Sequence, residues 1–409
     1  MRVAKPAAMA RHIVTAALLL ASAAAAAAPA PLVPALRSSF PTRKAAVAAM
    51  APFLAGAPAG PTAAARNPTY DFQVKRLWQL WKQQYGVQFK GRQEDAYRYS
   101  VFRRNVQRIW QANSQNGAQS WQSINKFAAM TREERLATYG SPQPPYITNP
   151  ERPRKPLLGN PIVPLTWDWR SKGVTTPVKD QGSCNTCFAF TAAAQIESYL
   201  LIKEGKTFAQ RPIDASEQQI VDCNSPTGNG CRDGGYLETG IEYAGRPGVF
   251  VTSEARYPYR MNSGACRFDS IKAGVPAQDQ FSLRSPGWAE LTKWDAVTLR
   301  EEVYKAPVAI GMLGPGVDAF DSYGGGILPA RICRSIQPAQ APTANDYADI
   351  NHAMLVVGFD RSTVPNYWII RNSWGAGWGE GGYIRVEMTG NNTWGTCNMY
   401  YNMVKILEK

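Results

Sequence analysis

The chain has 409 residues, of which 44% are hydrophobic, with 12 Trp and 18 Tyr. That suffices for two or three domains, or for one large domain behind a processed leader, and it excludes a disordered protein. The formal charge of +14 sits entirely before residue 163, and the rest of the chain is slightly acidic, so no basic face is available by count and nucleic acid is excluded as a partner.

In chain order, the first residues carry Arg2, Lys5 and Arg11, followed by an apolar run from Ile13 to Leu20 and an Ala tract that ends at Pro29. A charged start, a short apolar core and small residues at the cut positions describe a signal peptide over residues 1–28, with cleavage near Ala26–Ala28. An uncleaved anchor is the alternative. The run is short for that and Ala is weakly apolar, so no stable membrane anchor is expected. Export, to a secreted or periplasmic location, agrees with the cysteine usage. Residues 29–66 are rich in Ala and Pro without sustained periodicity, and are expected to form a flexible spacer that buries no core.

Residues 67–160 form the next segment. Helices are expected over 71–113, with Asp71 as an N-cap and Phe72, Leu77, Trp78, Leu80 and Trp81 on one apolar face. A second helix, from about Gln93 to Asn113, repeats Tyr97, Val101, Phe102 and Ile109 at three- and four-residue intervals. Glu94, Arg98, Phe102, Asn105, Ile109 and Asn113 fall on one stripe of it, with Glu94 and Arg98 spaced as an i, i+4 ion pair. By pattern alone this is an ordinary amphipathic helix.

The last segment, 161–409, begins with the extended, Pro-punctuated stretch Asn160-Pro161-Ile162-Val163-Pro164, a suitable place for a processing cut. All seven cysteines lie between Cys184 and Cys397. An odd number leaves one thiol free in an oxidised protein. Cys187 opens an expected helix running to about Lys203, with Phe188, Ala192, Ile196, Tyr199 and Leu200 as its apolar face. A helix N-terminus favours a thiolate, hence a nucleophile. The Cys184-x-x-Cys187 pair can also be read as a redox motif, half a zinc site, or two structural disulfides. Zinc lacks partners: there is no second such pair, and only one His follows His12, so no metal is expected. The redox reading lacks an alternating strand–helix context. His352 is therefore the one available base for a Cys–His pair. It opens a buried strand, Asn351-His352-Ala353-Met354-Leu355-Val356-Val357-Gly358. A second strand, Tyr367 to Ile370, leads into Asn372-Ser373-Trp374-Gly375. Neighbouring strands can set His352 beside Asn372, whose amide oxygen would orient the imidazole.

Two sets of residues resemble a known family. The six-residue stripe matches, one for one, the helical signature in the inhibitory propeptide of papain-like cysteine peptidases, the cathepsin L-like precursors. The family's second propeptide motif is half present at Ser123, Asn125, Phe127 and Ala129. Ala129 replaces an Asp associated with pH-dependent release, which argues against an acid trigger of the usual kind. The blocks around Cys187, His352 and Asn372 resemble the family's peptidase domain over 163–409. The resemblance implies an α+β fold: a helical lobe and a β-barrel-like lobe with a cleft between, behind a helical prosegment that lies through the cleft in reverse. It implies Cys187 as nucleophile, His352 as general base and acid, Asn372 as orienting residue, and Gln181 with the Cys187 N–H as oxyanion donors. Trp374 would shield the Asn372–His352 bond. The implied disulfides are Cys184–Cys231, Cys223–Cys266 and Cys333–Cys397, leaving Cys187 free.

There are departures. Cys184-Asn185-Thr186-Cys187-Phe188 stands where the family has Cys-Gly-Ser-Cys-Trp, which implies an altered cleft rim. The substrate-backbone loop, Gly230-Cys231-Arg232-Asp233-Gly234-Gly235, has one extra residue. Cys187 and His352 are farther apart than usual, and 337–348 reads as an inserted loop near the site. The pocket for the residue two before the cut aligns with Leu237, Gly311, Ile350 and Asn402, which implies a preference for bulky apolar side chains. The lone His argues against a peptidyl-dipeptidase of the cathepsin B kind. The expected protein is a secreted, monomeric endopeptidase acting on protein or peptide substrates without a cofactor, inhibited by its own prosegment. A silent scaffold on the same fold, or a ligase of the same chemistry, are the rivals.

Overall fold

The computed structural model describes residues 34–37, 39–54, 68–115, 117–140, 162–225, 227–283, 287–336, 340–342 and 348–407. The expected signal peptide, the end of the expected prosegment over 141–160, the start of the expected cut stretch and most of the expected inserted loop lie outside these residues.

The N-terminal part is helical. Helix α1 (Arg43–Leu54), α2 (Pro68–Tyr85) and α3 (Gly91–Ser114) pack on one another. Helix α1 corrects the expectation of a spacer that buries no core. Ala46, Met50 and Leu54 are buried, and at i, i+4 and i+8 they share one stripe of an Ala-rich, strongly helix-forming segment. Met50 and Leu54 join Val74, Leu77, Trp78, Trp81, Phe102 and Ile109 in a single core. Trp78 and Trp81 stack at 5.3 Å. Two expected core residues face outward instead: Phe72 is 65% and Tyr97 48% exposed. Asp71 is not a cap, because the helix starts three residues earlier at Pro68, a residue suited to a first turn. Its carboxylate accepts from Tyr99 Oη and pairs with Lys75.

After α3 the chain makes strand β1 (Ser120–Gln122) and helix α4 (Arg132–Tyr139). Thr131 and Glu134 cap α4 reciprocally, each side chain accepting from the other's backbone N–H. The polar members of the α3 stripe hold this stretch down. Asn113 pairs with both backbone groups of Gln122, and Asn105 donates to the carbonyls of Ala128 and Met130. Arg98 donates to Ala129 O and to both Glu134 oxygens at 2.7–2.8 Å. Its expected partner Glu94 pairs with it at 3.9 Å and also accepts from Lys90 N–H at the helix start.

The rest of the chain forms two lobes. The helical lobe is built on α5 (Cys187–Glu204), α6 (Glu217–Asn224) and α7 (Thr239–Gly245). Helix α5 is buried almost all round rather than on one face, which is why its sequence shows little amphipathicity. The other lobe is a sheet of β3 (Trp288–Glu290), β4 (Val308–Met312), β5 (Tyr323–Leu328), β6 (His352–Asp360), β7 (Tyr367–Arg371), β8 (Tyr383–Glu387) and β9 (Asn402–Ile406), with α8 (Ala296–Lys305) packed against β4 and β6. The strand order is β1-β5-β8-β7-β6-β4-β9-β3, and β2 (Thr166–Asp168) also pairs with β6. All pairings are antiparallel except β5 with β8.

Strand β6 positions the site. Met354 and Val356 face the core of the sheet lobe, while Ala353, Leu355 and Val357 face the core of the helical lobe. The period-two alternation of a strand thus ties the two cores together, and an uninterrupted apolar run is what such a doubly buried strand requires. His352, its first residue, sits at the seam.

Strand β1 of the N-terminal part extends the sheet by pairing with β5. Close approach there depends on glycine. Gly325 and Gly326 have φ of +145° and +83°, and a Cβ on either would fall within 2.9 Å of Trp121 or Ser120 atoms.

Candidate active site

Cys187 is the first residue of α5, fully buried and the one free cysteine among the described residues. The other six are joined as Cys184–Cys231, Cys223–Cys266 and Cys333–Cys397, as the resemblance implied. The redox and zinc readings of Cys184-x-x-Cys187 fall with the first of these bridges. Burial pushes the Cys187 thiol up to about 11, against the pull of N–H groups of Ala353, Phe188 and Cys187 itself. The Ala353 N–H ties the thiol directly to the residue after His352.

His352 is fully buried, and its Nε2 lies 2.8 Å from Asn372 Oδ1. Asn372 Oδ1 also accepts from Ser373 N–H at 2.8 Å. With the amide so oriented, Nε2 carries the proton and donates it. Nδ1 has no partner and is therefore the basic nitrogen. Burial lowers the imidazole to about 4, with the Asn372 bond opposing. In this covered state both thiol and imidazole are neutral.

Two groups complete the surroundings. Gln181, on the loop before α5, is fully buried. Its Nε2 donates to Cys184 O at 2.7 Å and its Oε1 accepts from Ser373 Oγ at 2.6 Å. One N–H of the side-chain amide remains for another acceptor. The Trp374 ring lies 4.9 Å from the His352 ring, with Phe320 and Trp378 against it. This indole covers the imidazole from solvent.

The pocket residues divide. Gly311 pairs with Asn402 between β4 and β9, and Ile350 fills the space a Gly311 side chain would take: a Cβ would come within 2.6 Å of Ile350 Cδ1. Leu237 packs in the core of the helical lobe. Gly234 follows a one-turn helix over Gly230–Asp233 with φ +77°. Gly235 lies against the Phe188 ring, where a Cβ would come within 2.7 Å.

The N-terminal part closes over this arrangement. Phe127 and Tyr139 pack edge-on against Trp374 at 4.9 and 5.7 Å. Lys126 Nζ pairs with Asp180 at 2.7 Å, beside Gln181. Arg135, 3% exposed, binds Asp321 at 2.6 Å and Asp318 at 2.5 Å. Asn125 donates to Asp321 O. Tyr139, Arg135, Asp318 and Asp321 are not among the residues the sequence singles out, because their contacts join parts of the chain far apart, 183 and 186 residues in the two ion pairs. The capping pattern Thr131-x-x-Glu134 was the available signal for a further helix.

Comparison with known proteins decides the family. The papain family cysteine protease model matches residues 163–406. The chain belongs to the papain family. The cathepsin propeptide inhibitor domain matches residues 78–135, within the helical part that covers Trp374. A senescence-specific cysteine protease of Arabidopsis thaliana is 32% identical over 78% of this chain and 86% of its own length. Papain of Carica papaya is 30% identical over 80% and 84%. Among solved structures, a ragweed pollen cysteine protease in its proform has a TM-score of 0.67 at 26% identity, over 83% of this chain and 96% of its own. Digestive procathepsin L 3 of Tenebrio molitor gives 0.63 at 27%, over 82% and 99%. The protein is a papain-like cysteine endopeptidase made as a zymogen, with its prosegment bound to the catalytic domain as an intramolecular inhibitor.

Proposed function

We propose that this zymogen is exported, loses residues 1–28 as a signal peptide and 29–160 on activation, and acts as a monomeric endopeptidase over 161–409. In the uncovered enzyme the Cys187 thiol gives its proton to His352 Nδ1 and the sulfur attacks the substrate carbonyl. The carbonyl oxygen becomes an oxyanion that accepts from the Cys187 N–H and the Gln181 amide. His352 then protonates the leaving amine, and water deprotonated by His352 cleaves the thioester. Asn372 keeps Nε2–H engaged throughout, so that Nδ1 stays the working nitrogen. Trp374 excludes water from that bond. The observation that carries this reading is the 2.8 Å His352–Asn372 bond, which fixes the tautomer at the strand end that also meets the thiol. Gly311, Ile350 and Asn402 on one lobe and Leu237 on the other favour a bulky apolar residue two before the cut, and Gly234 and Gly235 line the substrate backbone.

The test is alkylation of the processed enzyme with limiting iodoacetamide at about pH 6, where an ordinary thiol is only about 1% or less ionised. Rapid labelling confined to Cys187 and lost in His352→Ala is expected. Slow labelling of the processed enzyme refutes the pair.

A further inference from the structure

The two groups read as oxyanion donors, the Gln181 side chain and the Cys187 N–H, belong to different elements: Gln181 to a loop and Cys187 to the start of α5. A donor pair stabilises an oxyanion only when both N–H groups are held where the charge forms, so something has to fix the loop against the helix end.

Gln181 is tied through its backbone on two sides. Its N–H donates to Ser373 O at 2.9 Å, which joins it to the residue after Asn372. Its carbonyl accepts from Tyr259 Oη at 2.8 Å. A phenol has one proton, and here it is spent on that carbonyl. Burial raises this phenol above its ordinary value, so the proton stays in place. The contact of Tyr259 Oη with Thr186 Oγ1 at 2.6 Å is therefore a bond that Thr186 donates. Thr186 immediately precedes Cys187, and its carbonyl accepts from the Ala189 and Phe190 N–H groups in the first turn of α5. An unbroken chain thus runs from the helix end through the Tyr259 hydroxyl to the loop.

Tyr259 is itself fixed. Its ring meets Phe190 edge-on at 4.8 Å, and its N–H donates to Glu254 Oε1 at 2.6 Å. On either side of it, Tyr257 Oη donates to Asp222 Oδ2 at 2.9 Å and Arg260 N–H to Gln218 Oε1 at 2.7 Å, both acceptors being on α6. We propose that Tyr259 is a positioning residue for hydrolysis, its hydroxyl setting the Gln181 amide against the Cys187 N–H. It acts through Gln181 and not on the substrate, so the inference rests on the reading of Gln181 as an oxyanion donor.

The test compares two reactions of the processed enzyme. Hydrolysis of a peptide amide builds an oxyanion, whereas alkylation of Cys187 by iodoacetamide displaces iodide and builds none. Tyr259→Phe, first shown by thermal unfolding to be folded, should lower kcat about tenfold and leave KM and the alkylation rate within about twofold, while Gln181→Ala should cost about a hundredfold or more. In the Gln181→Ala background, Tyr259→Phe should change kcat by less than about twofold, because the group it positions is gone. Thr186→Val, which keeps the shape and removes the donor to Tyr259, should lower kcat about threefold in the same pattern. A native kcat in Tyr259→Phe or in Thr186→Val, beside a crippled Gln181→Ala, overturns the proposal and leaves the donor reading standing. A loss of the same size in the Gln181→Ala background, or a parallel fall in alkylation, also overturns it, since either puts the role of Tyr259 elsewhere. A native kcat in Gln181→Ala overturns both the proposal and the donor reading.

Discussion

Replacing Arg135 by Met removes the cation from a buried cluster at the junction of prosegment and catalytic domain. The guanidinium contacts Asp321, Asp318 and the carbonyl of Met130, and Arg135 and Asp321 are both 3% exposed. Removing one member of a buried ion pair costs about 3–5 kcal/mol, because the other charge stays buried and unpaired. At about 1.4 kcal/mol per tenfold, docking of the prosegment should weaken by roughly two to three and a half orders of magnitude. The assay is amide hydrogen exchange in the full chain with Cys187→Ala, which stops self-cleavage. It is read at residues 121–123, whose backbone pairs with β5 and with Ser322 O. Their exchange should accelerate by that factor while the α5 amides stay protected. The double variant Arg135→Met, Asp321→Leu should recover most of the loss, since an apolar pair of similar volume can replace a buried ion pair. Acceleration of less than about threefold in the single variant, the ordinary scatter of independent sites, would refute the cluster as the lock.

Other outcomes follow from the same geometry. The covered pair holds one titrating proton, on the Cys187 sulfur, because Cys187 is raised to about 11 and His352 lowered to about 4. The uncovered thiolate–imidazolium pair also holds one, so the pair adds no pH dependence to docking near neutrality. Asp321 supplies one instead. Burial raises it to about 6, above the ordinary carboxylate value of about 4, so the docked state binds more protons between the two. Docking should therefore tighten as pH falls through about 6, measured as the rate of prosegment exchange against pH. The Arg135→Met, Asp321→Leu chain should lose this response. The precursor's Cys187, at about 11, should alkylate ever faster up to that pH with no plateau near neutrality, in contrast to the processed enzyme. Met50→Ala should lower precursor stability by about 2–4 kcal/mol, as for other buried Met or Leu truncations. An effect below about 0.5 kcal/mol would mean that α1 is not part of the folded prosegment.

The site was legible because its chemistry uses scarce residues. With two histidines in the chain, His352 had no competitor, and Asn372 followed from two adjacent apolar strands. The α3 stripe was legible as a pattern, but not the use of its members: Asn105, Asn113 and Arg98 spend their hydrogen bonds on backbone far ahead in sequence, which no local rule foretells. Helix α1 was missed because Ala-rich composition obscures a three-residue stripe. Arg135 and Asp321 were invisible for a more general reason. An ion pair between residues so far apart in sequence is set by topology, and each looks by itself like a surface charge. The exposed Phe72 shows the converse, since an aromatic on a helical period need not have anything to cover it.

The glycine-rich strand β5 has a further bearing on the life of the molecule. While the prosegment is in place, β1 occupies its outer side. Once processing removes that strand, the mature domain is left with an open row of amide and carbonyl groups. Nothing on Gly324, Gly325 or Gly326 fixes which register a newcomer adopts. While it is bound, the prosegment keeps this edge paired, and the released strand competes with any other extended chain for the same edge. A concentrated preparation of the mature enzyme should be the form most prone to clump, and the severed prosegment should be the additive that keeps it dispersed.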